Sequence, residues 1–90
     1  MTHSYQQNLD VAYREIEGEA VLVVPTTSDV KVLNSVGTHI WGQIESPRTL
    51  DELVAAVVAE FEVGAEAARP DVERFLEDLV SRELATKVEG

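Results

Sequence analysis

The pattern of apolar and polar positions changes its period once along the chain, near Leu33. Before that point the segments "VAYREI" (11–16) and "EAVLVVP" (19–25) are rich in β-branched and aromatic residues. The Glu17-Gly18 link between them is typical of a β-hairpin. The run "VLVV" is apolar on both faces, which predicts a central strand covered on both sides. Pro25 should end this strand because proline has no N–H to donate, and "TTS" (26–28) should form the turn.

A third, short strand is predicted for "DVKVL" (29–33). Its residues alternate in a period of two, so Val30 and Val32 share one face. Asp29, Lys31 and Leu33 share the other. In a meander this strand lies at a sheet edge, where unpaired backbone groups are exposed. Lys31 and Asp29 either blunt that edge or leave it open to another strand.

From Asn34 onward a period near 3.6 predicts three amphipathic helices. Asn34 is a good N-cap for the first helix, in "LNSVGTHIWGQIES" (33–46). Thr49-Leu50-Asp51-Glu52 is a capping box that opens the second, which we expect to end near Gly64. The third helix is clear from Asp71, with Pro70 either in its first turn or inside a helix that began near Ala65. The expected core contains Leu33, Ile40, Trp41, Leu53, Val57, Phe61, Phe75, Leu76 and Leu79.

These elements predict one α+β domain over 11–86, with a three-stranded antiparallel sheet followed by three helices. Residues 1–10 are polar and aperiodic, so we expect a flexible N-terminus, and 87–90 reads as a tail. There is no apolar run of the length that a membrane span requires and no signal-peptide pattern at the N-terminus. Cysteine is absent. These features are consistent with a cytoplasmic protein and give no reason to expect a membrane partner.

The acidic composition argues against nucleic acid as a partner. Seventeen acidic residues against seven basic ones give a formal net charge of −10. Binding to DNA or RNA depends largely on Lys and Arg that neutralise phosphates. The seven cations are scattered along the chain without forming a basic patch. A nucleic-acid-binding domain is therefore the disfavoured alternative.

Candidate catalytic and metal-binding residues are few, and we expect neither enzymatic activity nor a cofactor. His3 lies in the N-terminal segment and His39 on the polar side of the first helix, without a second histidine at ligand spacing. An acyl or peptidyl carrier would need a modified serine after an aspartate at a helix start, whereas Ser35 follows Asn34. Trp41 is expected in the core. Gly37 is expected where a neighbouring backbone approaches closely.

The third helix carries a stripe of alternating charge beside apolar residues. Its members are Asp71, Arg74, Phe75, Asp78, Leu79 and Arg82. Such stripes are often only a solvated face. An open strand edge beside this stripe, however, would form a groove of the size of a peptide.

Three motifs in order resemble the PqqD family: "LNSVGTHIWGQIES", "TLDELVAAVVAEFEV" and "DVERFLEDLVSRELA". The resemblance covers roughly 11–86. It implies a winged-helix-like fold and a peptide-binding role, that of a RiPP recognition element. Such a domain captures the leader segment of a ribosomally made precursor and presents it to a modifying enzyme such as a radical SAM protein, protease or cyclase. Pro70 and the "SREL" segment, where a Gly often precedes the Leu, depart from the family pattern.

In that family the leader adds a strand to the third strand and packs against the third helix. By position, the resemblance places the groove at Asp29, Val30, Lys31, Val32, Leu33, Asp71, Arg74, Phe75, Asp78, Leu79 and Arg82. The same open edge would also allow pairing with a second copy of the chain. The pathway stays open between pyrroloquinoline quinone, lasso and other modified peptides.

Overall fold

The computed structural model describes residues 3–25 and 27–89. Within these ranges the elements in chain order are β1 (His3–Gln7), β2 (Tyr13–Ile16), β3 (Glu19–Val23), β4 (Val30–Val32), α1 (Ser35–Gln43), β5 (Arg48–Thr49), α2 (Leu50–Phe61), α3 (Ala65–Ser81) and β6 (Ala85–Glu89). The predicted α+β class and the order of the three strands before the three helices are confirmed. The predicted turn at 26–28 includes Thr26, which lies outside the described residues, as do residues 1, 2 and 90 of the expected flexible ends.

The three predicted strands form one antiparallel sheet in the order β2-β3-β4. Ile16 pairs with Glu19 across a two-residue turn. Glu17 and Gly18 in that turn have φ values of 52° and 82°. Positive φ at both turn positions matches the right-handed twist of a hairpin. The predicted hairpin is therefore confirmed, and Gly18 supplies a conformation that other residues adopt only under strain.

Only one face of this sheet is covered. Leu22 is completely buried on the inner face, which packs on α1, whereas Val23 on the outer face is 37% exposed. The expectation that β3 is covered on both sides is wrong, although β3 is the central strand. The alternation of β4 is present, with its valines on the outer face, so the sheet presents an apolar surface to solvent formed by Ile16, Val23, Val30 and Val32.

A second antiparallel sheet, in the order β5-β1-β6, joins the two ends of the chain. β1 pairs with β6 from His3↔Glu89 to Gln7↔Ala85. Tyr5 and Gln7 point inward and are buried, and the Gln7 side-chain amide donates to the Trp41 carbonyl at 2.8 Å. The expectations of a flexible segment at 1–10 and a tail at 87–90 are therefore corrected for the residues of these two strands.

Two of the predicted helix starts are confirmed at atomic level. The Asn34 side chain accepts from the Gly37 backbone N–H at 2.8 Å. Thr49 and Glu52 form the reciprocal capping box, with distances of 2.8 and 3.2 Å. The side-chain oxygens of Asn34, Thr49 and Glu52 thus accept from backbone N–H groups that the start of a helix leaves without partners.

The ends of α2 and α3 differ from the sequence expectation. Glu62, with φ 53°, takes the left-handed position after α2, and Gly64 caps the start of α3 instead of terminating α2. Of the two alternatives for Pro70, the structure has the second, because α3 begins at Ala65 and continues through Pro70. Glu83 has a φ of 61° at the turn after α3, in the "SREL" position where glycine was expected. An ordinary residue at positive φ is strained, so both helices end at some energetic cost.

One hydrophobic cluster holds all the elements together, and the predicted core residues lie in it or pack against it. Trp41 is buried, with its ring edge-to-face against Tyr13 at 5.4 Å between centroids. Gly37 is explained by a side chain and not by a neighbouring backbone. A Cβ at Gly37 would lie 3.1 Å from the ring of Phe75. Phe75 therefore approaches α1 more closely than a side chain at residue 37 would allow without a small shift of the ring.

We expect Leu76→Ala to lower the free energy of unfolding by about 2–5 kcal/mol, because its side chain is fully buried and the substitution leaves a cavity. Urea unfolding at pH 7 measures this change. Glu73→Ala, at an exposed position of the same helix, is the control and should change stability by no more than about 0.5 kcal/mol. Equal, small effects of the two substitutions would contradict the packing described here.

Candidate functional site

The outer edge of β4 is open. The Val24 N–H donates to the Asp29 carbonyl at 2.7 Å, and the Leu33 N–H donates to the Ala20 carbonyl at 2.8 Å, so residues 29 and 33 direct their backbone groups toward β3. Backbone direction alternates along a strand. The N–H and C=O groups of Val30 and Val32 therefore point away from β3, toward the edge. Among the residues that the structure describes, no turn, loop or cap bond involves these groups.

An ion pair joins β4 to helix α3 across the space between these two elements, which we call the cleft. Lys31 lies on the inner face of β4, opposite Leu22 in the register, and its Nζ is 3.1 Å from Oδ2 of Asp78. Arg82, the C-cap residue one turn after Asp78, donates from its Nε to the same carboxylate, at 3.1 Å from each oxygen. The structure thus brings the predicted third strand and the predicted charged stripe together.

Two opposing effects act on the carboxyl group of Asp78. Burial alone would raise its pKa, because it penalises the charged form. Hydrogen bonds and positive charge from Lys31 and Arg82 outweigh burial and hold the pKa of Asp78 below its ordinary value. Asp78 is consequently ionised at neutral pH and keeps both cations beside the cleft.

A pocket of about 370 Å³ lies beside the N-terminal half of α3. It lies between the three helices, and its lining is mostly apolar. The lining comprises Asn34, Val36, Gly37, Ile40, Val57, Phe61, Val63, Ala67, Ala68, Asp71, Val72 and Phe75. Phe75 and Asp71 belong both to this pocket and to the predicted stripe, so the two features meet at Phe75.

The predicted site residues divide into three groups. Val30, Lys31, Val32, Phe75, Asp78 and Arg82 lie at the edge or along the cleft, as described above. Leu33 and Leu79 are buried in the core and can only support the cleft from below. Arg74 and Asp71 pair with each other at 3.0 Å, and the Arg74 side chain is 74% exposed. Arg74 is thus a surface residue, and Asp29 is also exposed.

The pocket residues of α1 were missed by the sequence reasoning. Val36 is an apolar residue of the first predicted helix, and in the structure it is exposed beside the buried Gly37. The signal available in the sequence was an apolar residue next to a glycine within a helix. Distinguishing it from an ordinary core valine requires the position of Phe75, which only the fold supplies.

The positive charges of the chain are mostly engaged by carboxylates. In the described part of the chain, five of the seven cations lie in ion pairs, namely Lys31, Arg48, Arg69, Arg74 and Arg82. The described residues contain no cluster of three or more side chains suited to holding a metal ion. None of the described helices is long and apolar enough to cross a membrane.

An open strand edge that faces a helix across a cleft is an arrangement that can accept an extended chain. A family model described as Coenzyme PQQ synthesis protein D (PqqD) matches residues 19–85, which is most of the chain, and the chain belongs to this family. A solved structure of TbiB1 in complex with the TbiA(beta) leader peptide is similar to this chain, with a TM-score of 0.79 and 30% sequence identity. The match covers 89% of this chain and 93% of that chain. No curated protein matches the chain in sequence.

We expect the contribution of Asp78 to stability to depend on pH. Because its pKa is lowered in the folded state, the stabilisation is complete above the unfolded-state pKa, about 3.9, and is lost as pH falls through the folded-state value. The stability difference between the natural chain and Asp78→Asn should therefore shrink toward pH 3 in urea titrations. In the matched test, Lys31→Met should raise the pKa of Asp78, which is measured from the pH dependence of the NMR shift of its carboxyl carbon. An unchanged pKa would contradict the role given to Lys31.

Proposed function

We propose that this chain is a peptide-binding module that captures the leader segment of a ribosomally synthesised precursor peptide by strand addition. The open edge of β4, facing α3 across the cleft, is the observation that carries this proposal. The likeness to TbiB1, whose solved structure contains a leader peptide, supports it, as does membership of the PqqD family. The bound segment would lie between β4 and α3 as a fourth strand of the β2-β3-β4 sheet.

The main-chain groups of Val30 and Val32 would provide the affinity that is independent of sequence. Each residue offers one donor and one acceptor in the direction that a new strand requires. A backbone hydrogen bond contributes only about 0.5–1.5 kcal/mol net, because water satisfies the same groups before binding. Micromolar affinity needs about 8 kcal/mol. Main-chain pairing therefore requires assistance from buried side chains.

The pocket between the helices is suited to that assistance. It has an apolar lining and a volume of about 370 Å³, enough to hold an apolar side chain of the leader. Phe75 at its rim is only partly buried and would gain coverage from such a side chain. Alternate residues of a bound strand point to the same face, so inward-facing leader residues would contact α3 while the others face solvent.

In this proposal the module performs no chemistry itself and delivers the precursor to an enzyme that modifies or cleaves it, for example a radical SAM protein, a protease or a cyclase. A bound leader leaves its C-terminal continuation outside the cleft, where a second protein can reach it. Holding the substrate near the enzyme raises its effective concentration without any new contact in the enzyme's active site. Binding of the precursor alone should therefore leave its mass unchanged.

The direct test is an NMR titration of ¹⁵N-labelled chain with the leader of a precursor encoded beside its gene. We expect the largest amide shifts at residues 29–33 and along α3. If the amide signals of α2 shift while those of β4 and α3 do not, the proposed position of the groove is wrong. Absence of any binding at millimolar peptide would defeat the function.

We expect Val32→Pro to abolish leader binding while preserving the fold. The Val32 N–H faces the open edge, so proline removes a donor to the leader and adds bulk there without breaking a bond to β3. Lys31→Pro is the control, since the backbone of residue 31 faces β3 and the substitution should lower the melting temperature. Calorimetric titration measures binding, and circular dichroism measures melting. Retained binding by a folded Val32→Pro variant would contradict strand addition at this edge.

We expect no measurable affinity for duplex DNA at physiological salt. Most cations are already paired with carboxylates, so few are free to replace the counterions of phosphate groups. Fluorescence anisotropy with a labelled duplex, repeated at several salt concentrations, checks this. Tight binding that weakens steeply with salt would favour the nucleic-acid alternative.

A further inference from the structure

Three side chains in the cleft together carry a net positive charge on an otherwise acidic chain. Lys31 and Arg82 both bind the carboxylate of Asp78, so these three side chains carry two positive charges and one negative charge. The chain as a whole carries −10. We call these residues the Lys31 cluster. The cluster joins the inner face of β4, to which a bound strand would also direct side chains, to the C-terminal end of α3.

The register of β4 determines which residue of a bound strand would meet this cluster. The backbone groups of Lys31 point toward β3. A leader strand would therefore form its hydrogen bonds with the backbone of Val30 and Val32, on either side of Lys31. The leader residue opposite Lys31 would then point to the same face as Lys31, because paired residues share a face. Its Cβ would be about 4.5–5.5 Å from that of Lys31. Its side chain would therefore extend toward Asp78 and Arg82.

We propose that the leader recognised by this chain carries an aspartate or glutamate at the position that pairs with Lys31, and that Lys31 and Arg82 select it. This inference rests on the proposed function. A carboxylate at that position would be attracted by both cations. A lysine or arginine there would be repelled by them, because Asp78, the carboxylate of the cluster, is already paired with both. The partly buried position of Lys31, whose side chain is 25% exposed, strengthens the preference because solvent screens the charges less.

The same geometry predicts a second feature of the recognised sequence. Asp29 lies two residues before Lys31 on the same face of the strand and is exposed. The leader residue opposite Asp29 would meet a like charge if it were acidic, which is unfavourable for directly opposed residues. The acidic preference should therefore be confined to one position, with acidic residues disfavoured two positions away on the side of Asp29.

The experiment is a selection of random 14-residue peptides from an mRNA-displayed library against the full chain. We expect the enriched peptides that shift the amides of β4 to share one Asp or Glu position. Replacing that acid by Gln should weaken binding about tenfold, equivalent to about 1.4 kcal/mol. Against Lys31→Glu, the selection should enrich Lys or Arg at the same position, because the Lys31 cluster then has a net negative charge.

Lys87→Glu is the matched control, since it makes the same charge change on β6, in the other sheet. It should leave the acidic preference intact. If Lys31→Glu fails to fold, Lys31→Gln replaces it and should abolish the preference without reversing it. Peptides that bind at β4 without an acidic position, or with one that Lys31 substitutions leave unchanged, would overturn the inference and leave the proposed function standing. Failure to enrich any peptide that shifts β4 would overturn both.

Discussion

The backbone groups of Val30 and Val32 have no partners within the β-ladder of the described residues, so water must solvate them. The rest of the structure keeps them in that condition. The hairpin turn at Glu17-Gly18 sets the register of β3, whose inner face is anchored by Leu22. The bonds at residues 29 and 33 then fix which side of β4 faces outward.

The charge distribution differs between the cleft and the rest of the surface. Ion pairs neutralise most cations, and the remaining acidic surface repels phosphate polymers. Within the cleft the balance is reversed, because Asp78 gathers two cations around one carboxylate. Exposed ion pairs contribute little to stability. Under the proposed function, the ion pairs around Asp78 would select among the peptides that enter the cleft.

The sequence predicted those elements whose signal is local. Each helix carries its own periodic stripe and cap, and the hairpin carries its own turn, so these could be read from neighbouring residues. The second sheet could not, because β1 pairs with β6 at the opposite end of the chain and neither strand is strongly apolar. Glu62 and Glu83 occupy left-handed positions that glycine usually fills, so helix ends were misjudged. For the site, the edge and stripe were predicted, but the burial of Leu33 and Leu79 and the pocket beside Gly37 depend on packing between distant elements.

The strict alternation of β4 has a consequence for how such modules diverge and how they can be engineered. Even-numbered residues present main-chain groups to the edge, while the side chains of odd-numbered residues face the cleft. Under the proposed function, the capacity to hold a strand and the selection among strands would therefore depend on alternate positions, which can change separately. Substituting Lys31 and the residues of α3 that contact it would then change which precursor peptide the module binds. Inserting or deleting one residue within β4, by contrast, would exchange the two roles for the residues on one side of the change.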